Sequence, residues 1–99
     1  MSDCVAPIAA LIPRRRCRIA GTVNSVQTYT RPWVRTDVAV GDGTGTVLLR
    51  FTGRDGVPGF RPGRRVTVEG TPRLAEADVE SATIMLNPLY TFEAGEPSG

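Results

Sequence analysis

Residues 38–53, VAVGDGTGTVLLRFTG, carry the pattern that most restricts this chain. Val38 and Val40 alternate with smaller residues, and four turn-forming residues follow, Asp42-Gly43-Thr44-Gly45. Val47, Leu49 and Phe51 then alternate with Leu48, Arg50 and Thr52. Successive side chains of a strand point to opposite faces, so this alternation on both sides of a glycine-rich turn predicts a β-hairpin with one face buried. Asp-Gly suits a tight turn that needs positive φ. The four turn residues fit either a two-residue turn or a longer loop with a bulge.

The rest of the chain extends the same pattern. Residues 1–13 lack periodicity and carry two prolines, so they read as a short irregular arm, with Ile8, Leu11 and Ile12 spaced to lean on a core. From Cys17 to Thr30, Cys17, Ile19, Gly21 and Val23 alternate with polar or small residues, and Val26 then falls on the other parity. That slip predicts a bulge or sharp coil in one long strand. Pro32 breaks the chain before a second strand, Val34 to Gly41; the third is Thr46 to Thr52. Gly53 to Gly63 holds four glycines and two prolines and cannot be a long helix; Val57 and Phe60 should pin it as an ordered loop. Arg64 to Arg73 reads as strand four, with Val66 and Val68 alternating with Arg65, Thr67 and Glu69, and Val79 to Leu86 as strand five, ending at Asn87-Pro88, with Leu89, Tyr90 and Phe92 packing afterward. The apolar parities put Val23, Val38, Val40, Val47, Leu49, Phe51, Val66 and Val68 inside.

An all-β chain of five strands, the first long and bent, with no long helix and the longest connection between strands three and four, predicts a small closed barrel. Closure removes the exposed edges that a flat sheet of this size would leave. The layout expected is the Greek-key barrel called the OB fold, spanning residues 14–92 between the arm and a polar tail, 93–99; an SH3-like barrel is the alternative.

Ninety-nine residues make one domain, with 40 % apolar and 22 % charged residues, ordinary for a globular protein. No apolar run reaches membrane-spanning length, and the Val5–Ile12 stretch follows an aspartate rather than basic residues, so the cytoplasm is expected and a membrane partner is not. All twelve basic residues are arginine. Residues 1–65 hold eleven of them against four aspartates, whereas residues 66–99 hold one against six acids. Such asymmetry favours a polyanionic or acidic partner, unless it reflects codon usage and the folded halves interleave. The chain has no histidine, the commonest general base, and neither Cys4 nor Cys17 has a neighbouring histidine to activate it, so no enzyme is expected. Glu76, Asp78 and Glu80 alternate as one solvated face, and neither a metal nor an organic cofactor is expected.

Several segments resemble a known family. Ala20 to Val26, the Asp42–Gly45 turn running on to Phe51, the Pro62–Gly70 segment, and Met85 with Asn87-Pro88 and Tyr90 resemble the OB-fold wedge domain of the RecG helicase. Val57 to Arg65 and Asn87 to Tyr90, with the Pro7-Ile8-Ala9 arm and the Arg14–Arg16 run, are similar to small stand-alone bacterial OB-fold proteins of the nucleic-acid-binding type. The resemblance implies a single-strand binding face on strands two and three, flanked by the loops after strands one and four.

The residues there carry suitable chemistry. Tyr29, Arg31, Trp33 and Arg35 lie on or beside the first of those loops, and Arg35, Leu48 and Arg50 have the outward parity of their strands; Arg18 joins them from the first strand. Arginines beside exposed aromatics provide phosphate contacts and stacking platforms, which sequence-tolerant binding of single-stranded DNA or RNA requires. The same residues also admit structural roles: Trp33 capping the barrel end, Tyr29 in packing, and Arg35 and Arg50 paired with Asp37. A protein-interaction module is the alternative function, with Leu48 and Trp33 forming its apolar spot.

Overall fold

The computed structural model describes residues 5–53, 56–74 and 83–92. Among them are seven strands: β1 (Cys17–Tyr29), β2 (Arg35–Gly41), β3 (Thr46–Thr52), β4 (Arg65–Gly70), β5 (Pro72–Leu74), β6 (Thr83–Leu86) and β7 (Leu89–Phe92). They form one sheet in the order β5-β6-β3-β2-β1-β4-β7, with β3 and β6 parallel and every other pair antiparallel. Only Thr71 separates β4 from β5, although they lie toward opposite ends of that order. The sheet must therefore curl to bring β5 back beside β4, and it forms a half-barrel: among the described residues no ladder joins its two ends. No helix among the described residues is long and apolar enough to cross a membrane.

The bend is built into β1. Its first half pairs with β4 and its second half with β2, and Thr22 is paired on both sides. The register slips between Val23 and Ser25, where the alternation breaks in the sequence. At the crossing, a Cβ on Gly21 would sit 2.6 Å from the Gly41 carbonyl oxygen, so only glycine lets the two backbones approach.

Among the described residues the expected five strands are seven, because strand four is interrupted and Leu89–Phe92, expected only to pack after strand five, forms a strand of its own. Strand four stops at Gly70 and resumes at Pro72, which has no N–H to offer a ladder. The closing segment turns at Asn87, whose φ of 45° lies in the left-handed region that asparagine tolerates better than most residues. Asn87 is clamped to β3: its backbone N–H donates to the Arg50 carbonyl at 2.8 Å, its Oδ1 accepts from the Thr52 N–H at 3.0 Å, and its Nδ2 donates to Thr52 Oγ1 at 3.1 Å. Before this kink β6 pairs with β3 and β5; after it β7 pairs with β4. Residues 79–82 of the expected fifth strand, Glu76, Asp78 and Glu80, the tail and Cys4 all lie outside the described residues.

Val23, Val38, Val40, Val47, Leu49, Phe51, Val66 and Val68, the expected interior, are all 2 % exposed or less. Each such side chain contributes about 1.5–3 kcal/mol by leaving water. Ile19 and Met85 complete the centre, and Val57 and Phe60 pin the glycine-rich loop against Phe51, Tyr90 and Phe92. Cys17 packs half-buried against this core, and burial raises its thiol pKa.

The arm is more firmly held than its sequence suggests. Ile8, in a single 3₁₀ turn at Ile8–Ala10, is buried in the core. Its N–H donates to Asp42 Oδ2 at 2.9 Å, and the Ala9 N–H donates to Thr44 Oγ1 at 3.1 Å. Asp42 Oδ1 meanwhile accepts from the Thr44 N–H and hydroxyl inside the hairpin loop, where Gly43 has φ 90°. These hydrogen bonds, led by the Thr44 hydroxyl, hold the Asp42 carboxyl down at about 2. Val5 bridges to Arg18 and Ala6 N–H donates to the Arg18 carbonyl, so the arm covers the side of β1 that β2 leaves open.

Candidate nucleic-acid interface

Cross-strand register sets the outer face of β2 and β3. Asp37 stands opposite Arg50 and Ala39 opposite Leu48, while Val38 pairs with Leu49 on the inner face. Arg35, Leu48 and Arg50 thus share the outer face, as their parity predicts. Facing outward does not leave the two arginines open to solvent, however: each side chain is only 14 % exposed.

Asp37 explains why. Its carboxylate accepts two hydrogen bonds from Arg50, Nε to Oδ1 at 3.0 Å and Nη2 to Oδ2 at 3.2 Å, a bidentate pair. Arg35 Nε lies 3.6 Å from Oδ2, an ion pair beyond hydrogen-bond length, and this buried Nε has no hydrogen-bond partner among the described residues. The expected pair of free phosphate contacts is therefore a largely buried cluster of two guanidiniums around one carboxylate.

Arg35 also orders the aromatics. Its Cζ sits 4.3 Å from the Tyr29 ring centroid and 4.7 Å from that of Trp33. Tyr29 stands directly opposite Arg35 in the β1–β2 register, and its hydroxyl donates to Gln27 Oε1. A guanidinium against two rings is worth about 0.5–2 kcal/mol per contact, depending on desolvation. Trp33 is fixed this way at one side yet remains 48 % exposed. Arg31 is exposed on the same loop, where the Arg31–Pro32 peptide bond is cis.

Trp33 borders a cleft of about 280 Å³ whose polar walls are Arg50, Thr52 and Arg73. Leu74, Ile84 and Leu86 give it an apolar lining. The cleft thus lies between the β1–β2 loop and the β5–β6 pair. Leu48, half-buried between Ala39 and Ile84, is outside it. Arg73, Leu74 and Leu86 were not read from the sequence as site residues. Leu86 is brought opposite Arg50 by the parallel β3–β6 register, which no local pattern encodes.

Arg18 lies elsewhere. It stands opposite Glu69 in the β1–β4 register and donates from Nη2 to Glu69 Oε1 at 3.4 Å. Arg16 Nε donates to the other carboxylate oxygen at 3.2 Å. Hydrogen bonds from Arg16 and then Arg18 keep the Glu69 carboxyl below the usual carboxylate range. A further concavity of about 720 Å³, at the hairpin end, is lined by Gly21, Gly41 and the turn residues, with no aromatic to stack a ligand. Among the described residues no group of His, Cys, Asp and Glu side chains could hold a metal ion.

No family model matches the chain, and no curated protein matches it in sequence. Among solved structures it is similar to RecG bound to a three-way DNA junction, with a TM-score of 0.78 and 20 % identity over 94 % of this chain and 13 % of that one. It is also similar to a replication protein A heterotrimer bound to single-stranded DNA, with a TM-score of 0.54 and 18 % identity over 72 % of this chain and 51 % of that one. The chain thus spans only a small part of RecG. At such identities the likeness speaks for architecture, and with the curled all-β sheet it gives the fold: the chain has an OB fold.

Proposed function

We propose that this chain is a binding module for single-stranded nucleic acid and performs no catalysis of its own. The observation that carries the reading is Trp33: a half-exposed indole, held from one side by Arg35, beside a cleft with arginine walls. An aromatic platform next to fixed positive charge is what sequence-tolerant strand binding needs, because every base has a face to stack and every nucleotide a phosphate. The structural neighbours include proteins captured on DNA, which supports the same class of ligand. In this arrangement Arg35 positions Trp33, Arg73 meets the backbone, and Arg31 adds charge at the loop. Thr52 Oγ1, already accepting from Asn87, has its own hydrogen to donate to a base edge.

Trp33 is the only tryptophan, so its fluorescence reports on this site alone. A mixed single-stranded oligonucleotide at micromolar concentration should quench it, with affinity falling as salt rises. Read by the anisotropy of a labelled oligonucleotide, since the variant lacks the fluorophore, Trp33→Ala should weaken binding by about 1–3 kcal/mol, the value of one stacked base, and leave the salt slope nearly unchanged. Arg73→Ala should instead lower that slope by about 0.7, the share of one phosphate contact on a single strand. Absence of salt-dependent binding by the wild-type protein would refute the proposal.

A further inference from the structure

Arg73, Leu74 and Leu86 border the Trp33 cleft and also a second, larger one of about 610 Å³. The second cleft runs from β5 toward Leu89 and the end of the arm, where Arg14 and Arg16 reach its rim. Resting on the reading above, we propose that it is a further subsite for the same strand. Single-stranded nucleic acid leaving Trp33 passes Arg73, lies across Leu74 and Leu89, and sets its phosphates on Arg14 and Arg16.

Three observations lead there. The first is continuity: the clefts share lining residues, so a chain in one has a direct path into the other. The second is charge. Among the described lining residues, three arginines, Arg14, Arg16 and Arg73, stand against one carboxylate, that of Glu69, which Arg18 also pairs from outside the cleft, so this part of the rim is positive. The third is order. Arg14 is not a loose end: its N–H donates to the Pro72 carbonyl at 2.8 Å, and its φ of 73° is uncommon outside glycine. Its backbone is fixed against β5 in this way, which keeps its side chain within reach of the cleft. Leu74 and Leu89, each 63 % exposed, give apolar surface for bases or sugars between the phosphate contacts.

The experiment compares two oligothymidylates, of about 4 and about 12 nucleotides, within the roughly 4–16 that one OB fold covers. Both are titrated against the full chain by Trp33 quenching over a range of salt. The short oligomer should fill the Trp33 cleft alone, and the longer one both clefts. Arg14→Ala with Arg16→Ala should reduce the salt slope for the longer oligomer by about 1.4, or roughly 25-fold in affinity at 0.1 M salt, and leave the short one unchanged. Arg61→Ala, which removes an exposed arginine bordering neither cleft, should change neither titration. The inference is overturned if the double variant binds the longer oligomer like wild type, as when the second cleft serves a protein, or if it weakens both oligomers equally. Failure of the wild-type protein to be quenched by either oligomer overturns the Trp33 reading and this inference together.

Discussion

Replacing Asp37 by alanine tests whether the arginines of the binding face are held or merely adjacent. Asp37 is 8 % exposed and lies between two guanidiniums whose side chains are 14 % exposed. Removing one partner from a buried ion pair costs about 3–5 kcal/mol, chiefly because the remaining charge stays desolvated. The arginines keep some exposure, so the lower end applies, about 3 kcal/mol. With a urea m-value near 2 kcal/mol/M, the unfolding midpoint should fall by about 1.5 M with m unchanged. Circular dichroism is the right probe, because Trp33 fluorescence responds to local rearrangement as well. Adding Arg50→Met should recover part of the loss, since one of the two buried positive charges then leaves. A loss below about 1 kcal/mol, the range of exposed ion pairs, would refute the argument, as would a simple additive loss in the double variant.

The kink at Asn87 separates hydrogen bonding from backbone strain. Asn87→Gly removes both side-chain bonds to Thr52 but suits φ 45°, and should cost about 1 kcal/mol; Asn87→Ala should cost about 1 kcal/mol more, because alanine resists the left-handed region. Equal losses in chemical denaturation would mean that the backbone conformation carries no strain. The Asp42 anchor should respond to acid. Its folded-state pKa of about 2 lies below its ordinary value of 3.8, so its contribution is fully present above pH 3.8 and is lost as pH falls toward 2. Amide exchange should show Ile8 and Thr44 losing protection across that window, and Asp42→Ala should remove the transition; a carboxyl titrating at 3.8 in the folded protein would contradict the anchor.

The sequence determined which residues of each strand face inward, because a strand's side chains alternate and burial favours one set. The eight expected core residues, the hairpin, the bulge after Val23 and the loop pinned by Val57 and Phe60 all follow from local pattern and turn chemistry. Parity tells direction but not depth. It put Arg35 and Arg50 on the outer face, yet only the β2–β3 register brings them to one aspartate, and only the surrounding loop and strands bury them. The strand count failed because strand four restarts at Pro72 to pair with β6, and because Leu89–Phe92, beyond the expected end at Asn87-Pro88, pairs with β4; partner identity is not a local property. For the same reason Leu86 and Arg73 entered the cleft unannounced, while Arg18 went to Glu69 on another part of the surface. The arm reads as irregular because its order comes from Asp42 and the core across a long sequence separation, through hydrogen bonds and burial that exist only once the sheet has curled.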